Sequence, residues 1–382
     1  MKILGIETSC DETAAAVVQD GKTILNNVVA SSTKMHRKYG GIVPEVAARK
    51  QVEYMIPILA ETMSGFSPDD IDAIAVTVGP GLIGSLLIGV ETAKTLAYTW
   101  NKPIIAVNHV IAHIYANFVT SDTKQETRMI KNEHVTYHVS PITFPAICLV
   151  VSGGHTELYV MKNVRELKWL GGTLDDAAGE AFDKGARLLG FENRGGVAIQ
   201  EAALRHSGEE RSDDSRIDSG QARMTKVSLP RPMLHDDSLN FSFSGLKTAL
   251  LRDVNKLKQS QQFNNTATRL PARQIQQLSF ELQEAITDVL VTKTLTAAKQ
   301  HNAKSILLSG GVSANTRLRE KFNSKLTTHN TQIFAPQREL CTDNAAAIAA
   351  CAFYQNKSIP WQNLNAEPNL SIERNNRQNL TQ

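Results

Sequence analysis

Two histidines, His109 and His113, stand four residues apart, so on a helix they share one face, the spacing used by two imidazole ligands of one metal ion. Asp343, in the run Cys341-Thr342-Asp343-Asn344, lies where a helix is expected to begin and offers a carboxylate as third ligand. Two imidazoles and one carboxylate suit Fe(II) or Zn(II). The run His109-Val110-Ile111-Ala112-His113 has no glutamate after its first histidine, so a zinc protease would lack its usual general base. Two further runs, Val150-Val151-Ser152-Gly153-Gly154-His155-Thr156 and Ser309-Gly310-Gly311-Val312-Ser313-Ala314-Asn315, each follow an apolar stretch. Paired glycines there let backbone N–H groups approach an anionic or acyl group. Residues 175–184 carry four acids: Asp175 and Asp176 complement the dipole of a helix start, while Glu180 and Asp183 share a face at i,i+3 and are candidates for holding substrate hydroxyls. Gly195-Gly196 reads either as a loop closing over a ligand or as a turn. Asp11, beside Glu12 in the first polar turn, is the candidate general base, with His155 as its rival.

The elements that must position these residues follow from periodicity. Residues 2–7 and 14–19 are short apolar runs around a polar knot and read as strand, tight turn, strand. After a variable loop, 43–63 has apolar residues at helical spacing, 72–78 reads as a buried strand, 85–100 as a helix and 103–107 as the next strand. A helix begins at His109. Residues 146–152 and 157–161 repeat the strand, turn, strand device, followed by a long helix over 279–300, a strand over 305–308 and an Ala-rich helix over 344–354. Polar stretches at 121–143, 207–226 and 257–272 read as insertions, and the Asn/Gln-rich 358–382 as a frayed tail. We expect an N-terminal lobe over 1–120, completed by a helix at 343–357, and a C-terminal lobe over 144–340. Turn glycines repeated in both halves suit the clamping of a nucleotide.

Gly79, Gly81 and Gly84 satisfy G-x-G-x-x-G between a strand and a helix. The strand ending near Val107 has no terminal acid for a ribose hydroxyl, and Pro80 removes a backbone donor, so these glycines are read as strand-to-helix packing. With 382 residues, 42% hydrophobic and 21% charged, the chain can bury two cores. The four cysteines show no C-x-x-C spacing, which argues against a disulfide framework or thiolate zinc site and for a reducing, cytoplasmic setting. No run has membrane-spanning length. A net charge of +3, with Lys34, His36, Arg37, Lys38, Arg49 and Lys50 close together, fits a nucleic-acid partner.

The motifs Gly5-Ile6-Glu7-Thr8-Ser9-Cys10-Asp11-Glu12-Thr13, Gly40-Gly41-Ile42-Val43-Pro44-Glu45, Gly79-Pro80-Gly81-Leu82, SGGHT, DDAAGEAFDK, FSFSGLKT, GGVSAN and CTDN fall in order from Ile3 to Asn344. Together they closely resemble the TsaD/Gcp family of tRNA N6-adenosine threonylcarbamoyltransferases. The resemblance implies an α/β, ASKHA (actin/hsp70-like, ribonuclease-H-like) two-lobed duplicated fold. It implies transfer of threonylcarbamoyl from threonylcarbamoyl-AMP to N6 of adenosine at tRNA position 37, next to the anticodon, in tRNAs reading codons that begin with A. The metal ligands implied are His109, His113 and Asp343, with Fe(2+) favoured over Zn(2+). The substrate contacts implied are Val150, Val151, Ser152, Gly153, Gly154, Asp183, Gly196 and Asn315. Implied partners are tRNA, a same-fold silent TsaB-like paralogue and a TsaE-like P-loop ATPase. The family's Pro-Gly-Gly-Pro is replaced by Arg194-Gly195-Gly196-Val197. Two rival readings are a small-molecule kinase or ATPase on the same fold, which would tolerate loss of His109, and a non-catalytic scaffold paralogue, which should lack the histidine pair.

Overall fold

A computed structural model describes residues 1–36, 39, 41–121, 141–191, 195–213, 228–262, 270–326 and 331–371. The first sheet contains β1 (Lys2–Glu7), β2 (Glu12–Gln19), β3 (Thr23–Ser31), β4 (Ala73–Gly79), β5 (Ile104–Asn108) and β6 (Thr120–Ser121), in the order β5-β4-β1-β2-β3-β6. β1, β2 and β3 form an antiparallel meander, whereas β4 and β5 run parallel to β1 and reach it through helices. The second sheet contains β7 (Ala146–Val151), β8 (Thr156–Asn163), β9 (Glu166–Gly172), β10 (Ser305–Ser309) and β11 (Gln332–Phe334), ordered β11-β10-β7-β8-β9. The same 5-4-1-2-3 order thus occurs twice, which is the duplicated ribonuclease-H-like unit of the actin/hsp70 fold.

The chain forms two compact units. One comprises residues 1–146, 161–167 and 334–382, the other residues 147–160 and 168–333. The core of the first is built from Leu4, Ile6, Val17, Ile74, Val76 and Ile104 on the strands and from Met55, Ile58, Val90 and Ala93 on two helices. The helix Ala345–Gln355 is buried from Ala345 through Ala352. Its alanines let it approach β1 so closely that a side chain at Gly5 would meet the Ala345 carbonyl.

Four sequence expectations are corrected. Residues 24–30 belong to β3, not to a variable loop; their partial burial on a strand paired with β2 and β6 hides the alternation. Polar residues 257–262 and 272 are not insertion but helix: 257–262 end Ser244–Gln262, and 272 opens Ala272–Gln300, which starts before the expected 279; likewise 207–213 belong to Gly195–Asp213. Gly195-Gly196 opens that helix and is not a loop. Residues 358–370 are packed: Ile359 bridges Ile104, Leu364 is 1% exposed, and Trp361, Ala366 and Leu370 lie against the first core. Apolar spacing there outweighed the Asn/Gln-rich composition. The remaining parts of the expected insertions and tail, at 122–140, 214–227, 263–269 and 372–382, lie outside the described residues, as do Arg37, Lys38 and Arg194.

Candidate metal centre and substrate pocket

Two asparagine caps place the metal-ligand candidates. β5 ends at Asn108, whose Oδ1 accepts from Val110 N at 2.9 Å and Ile111 N at 3.1 Å, so the helix His109–Tyr115 starts immediately and carries both histidines on its buried side. Asn344 accepts from Ala347 N at 3.0 Å and donates to the Leu340 and Thr342 carbonyls, fixing the turn from which Asp343 projects. All three residues belong to the first unit. Their ligand atoms lie within 4.8 Å of one another. Asp343 Oδ1 is 3.7 Å from His109 Nε2 and 3.4 Å from His113 Nε2. The imidazole rings meet edge-on at 4.7 Å.

The donor set passes a test for a bound cation. His113 Nε2 is buried without a hydrogen-bond partner, which is costly unless something accepts its lone pair. Burial by itself would lower the pKa of His109, yet the Asp343 and Glu7 carboxylates outweigh it and push the imidazole up to about 9. A place where two carboxylates stabilise positive charge on a buried imidazole suits a divalent ion.

Glu7, the residue sequence reading missed, is 1% exposed at the end of β1. Its Oε2 lies 3.1 Å from His109 Nδ1, and Ser9 Oγ lies 3.1 Å from the same nitrogen. Its place at the end of an apolar strand gave no chemical spacing to mark it. Asp11, the candidate base, is nearly buried; its Oδ2 accepts from Thr33 Oγ1 at 2.8 Å and its carbonyl from Ser32 N and Oγ at 3.0 Å. Burial first, then the Asp343 and Asp11 carboxylates, push the neighbouring Glu12 carboxyl up to about 9. Among the expected basic cluster, His36 is not at the surface: it is buried between Ser32 Oγ at 3.1 Å and Val43 N at 3.2 Å.

In the second unit a pocket of about 250 Å³ is lined by glycines and a few polar side chains: Gly153, Gly179, Asp183, Gly195, Gly196, Gln200, Gly311 and Asn315 among them. Asp183, Gly196, Gly153 and Asn315 are thereby brought together. Val150 and Val151 are fully buried in β7 and do not line it, nor do Ser152 and Gly154. The Ser152 turn is closed by its N–H donating to the His155 carbonyl at 2.8 Å and by His155 N donating to Ser152 Oγ at 3.2 Å. A Cβ at Gly153 or Gly311 would meet nothing within 4 Å, so the pocket wall there is bare backbone; at Gly179 it would strike the Ser152 carbonyl at 2.5 Å. Asp183 accepts from the backbone N–H groups of Gly195 and Gly196; burial raises its pKa, while Arg187 and these bonds oppose the rise. Asn315 Oδ1 accepts from Leu318 N at 2.9 Å, capping the helix Thr316–Leu326, and Nδ2 donates to Gln283 at 3.1 Å. Gln200, also missed, accepts from Thr316 N at 2.8 Å.

The Rossmann-like glycines are occupied by the chain itself. A side chain at Gly79 would collide with the Glu367 carbonyl; Gly81 N donates to the Pro368 carbonyl at 3.1 Å and Leu82 N to the Ser9 carbonyl at 2.8 Å. That loop is packing, as the missing acid suggested.

The model of the family described as TsaD, tRNA N6-adenosine threonylcarbamoyltransferase, matches residues 23–350, a span enclosing both the His109, His113 and Asp343 group and the pocket. This chain belongs to that family. Curated relatives carrying the same family name agree in length as well as sequence. The Thermomicrobium roseum protein is 46% identical over 371 residues, covering 93% of this chain and 92% of its own. The Syntrophomonas wolfei protein is 44% identical over 372 residues, covering 96% and 97%. The Bacillus subtilis protein is 42% identical over 377 residues, covering 97% and 96%. Among the described residues no helix is long and apolar enough to cross a membrane.

Proposed function

We propose that this chain transfers the threonylcarbamoyl group from threonylcarbamoyl-AMP to N6 of adenosine 37 in tRNAs reading codons that begin with A. The family match over residues 23–350 carries this reading. The donor is already activated, since its carbamoyl carbon is bound to an adenylate leaving group. The protein must therefore position it, stabilise charge on the carbamoyl oxygen and take one proton from the attacking amine. In this reading His109, His113 and Asp343 hold one divalent metal ion, Fe(2+) favoured, which supplies Lewis-acid polarisation and a template for the threonylcarbamoyl group.

The pocket of the second unit suits an adenylate. Its bare walls at Gly153 and Gly311 admit close approach of a planar base or a phosphate, and Asn315 and Gln200 supply polar edges. Asp183 acts by accepting from the backbone N–H groups of Gly195 and Gly196, which fixes the first turn of Gly195–Asp213 in the pocket wall. Asp11 accepts the amine proton; its fixed contact with Thr33 holds the carboxylate in one orientation. Partners in this reading are tRNA, a TsaB-like paralogue and a TsaE-like P-loop ATPase.

The test is nucleoside mass spectrometry of tRNA incubated with this chain, those partners, threonine, bicarbonate, ATP and the donor-forming synthetase, beside the same mixture with His109→Ala. Threonylcarbamoyladenosine should form with the wild type and fall by at least about 100-fold in the variant, the scale expected when a metal ligand is lost. Absence of product in both, with partners proven active on a known relative, would sink the reading.

A further inference from the structure

Glu7 meets three polar groups from three places in the first unit. Ser9 N donates to Oε1 at 2.5 Å, Thr77 Oγ1 on β4 donates to Oε2 at 2.6 Å, and Oε2 lies 3.1 Å from His109 Nδ1. A carboxylate this deeply buried persists only when its oxygens are partnered, and here the partners also fix which way it points. The other nitrogen of His109, Nε2, faces Asp343. An imidazole that ligates through one nitrogen must carry its proton on the other, and a carboxylate beside that other nitrogen enforces the tautomer and the ring plane. The charges also match: Glu7 and Asp343 together bring two negative charges to one divalent ion.

We propose that Glu7 is a positioning residue of the metal centre: it holds the Nδ1 proton of His109 and so directs the Nε2 lone pair toward the point shared with His113 and Asp343. This rests on the reading of those three residues as a metal centre. Thr77 acts one step further out, by holding Glu7, whereas Ser9 holds Glu7 through its N–H and also meets His109 Nδ1 through Oγ at 3.1 Å.

The experiment titrates Co(II) into the metal-free full-length protein, following its ligand-field absorption, with a competing chelator to set the affinity. The wild type should take up one equivalent, and His113→Ala should change the spectrum. Glu7→Gln should weaken binding about 10–100-fold, because one amide oxygen cannot serve three donors and the NH2 group opposes one of them. Thr77→Val should act in the same direction and less. On a His109→Ala background, Glu7→Gln should alter the residual affinity by less than about 2-fold, since its route runs through that ring. Undiminished affinity in both Glu7→Gln and Thr77→Val would overturn the inference, and so would an equal loss on the His109→Ala background, which signals general destabilisation. If the unfolding temperature of metal-free Glu7→Gln collapses, Thr77→Val decides. Failure of the wild type to bind Co(II), or an unchanged spectrum in His113→Ala, would instead remove the metal reading itself.

Discussion

At the scale of single residues, glycines separate stability from binding in a way that can be measured. Gly179→Ala puts a methyl group against the Ser152 carbonyl and should cost about 1–3 kcal/mol in denaturant unfolding. Gly153→Ala adds the same methyl where nothing lies within 4 Å, so stability should change by less than about 0.5 kcal/mol. In the pocket reading it should nevertheless raise the KM for threonylcarbamoyl-AMP, because the methyl fills space meant for ligand. Equal stability losses in the two variants, or an unchanged KM for Gly153→Ala, would tell against that reading. The residues that carried chemical spacing in the sequence, His109 and His113 with Asp343, are gathered by the fold into one cluster. Glu7 and Gln200 were illegible because their partners lie 102 and 116 positions away, and no local pattern marks a side chain whose role is set at that distance.

At the scale of elements, Asp175 shows how a local rule can assign the right chemistry to the wrong helix. Sequence reading gives it to the dipole of the helix it precedes. The fold has that helix begin at Ala178, while Asp175 accepts from Phe243 N at 2.8 Å, Ser244 N at 3.2 Å, Ser242 Oγ at 2.6 Å and Ser244 Oγ at 2.7 Å. It thus caps Ser244–Gln262 and ties the DDAAGEAFDK motif to FSFSGLKT. Burial alone would raise its pKa, but these four bonds prevail and hold it below the usual carboxylate value. A carboxyl depressed in the folded state stabilises the protein above its unfolded pKa, and that stabilisation is lost as pH falls through the folded value. Asp175→Ala should therefore cost about 1 kcal/mol at neutral pH, with the difference from wild type shrinking in acid. Urea unfolding at several pH values measures it; a difference independent of pH would contradict the capping role. Helices with clear apolar spacing, such as Pro44–Thr62 and Ile83–Trp100, were legible nearly to their ends. Half-buried β3 was not, since its exposed residues interrupt the alternation.

At the scale of the whole molecule, the first unit is assembled from both ends of the sequence, and its core includes residues far beyond the last family motif. Leu364→Ala removes a side chain 1% exposed and should destabilise the protein by about 2–4 kcal/mol in calorimetry or denaturant unfolding. A loss under about 0.5 kcal/mol would return this segment to the status of a loose tail. The same discontinuity has a consequence for synthesis on the ribosome. His109 and His113 emerge more than two hundred residues before Asp343, and the helix that covers β1 follows Asp343 directly. For most of translation the nascent chain therefore presents two donors and an open sheet, so in the metal-centre reading the three-residue donor set is completed only in the final stretch, together with closure of the first core.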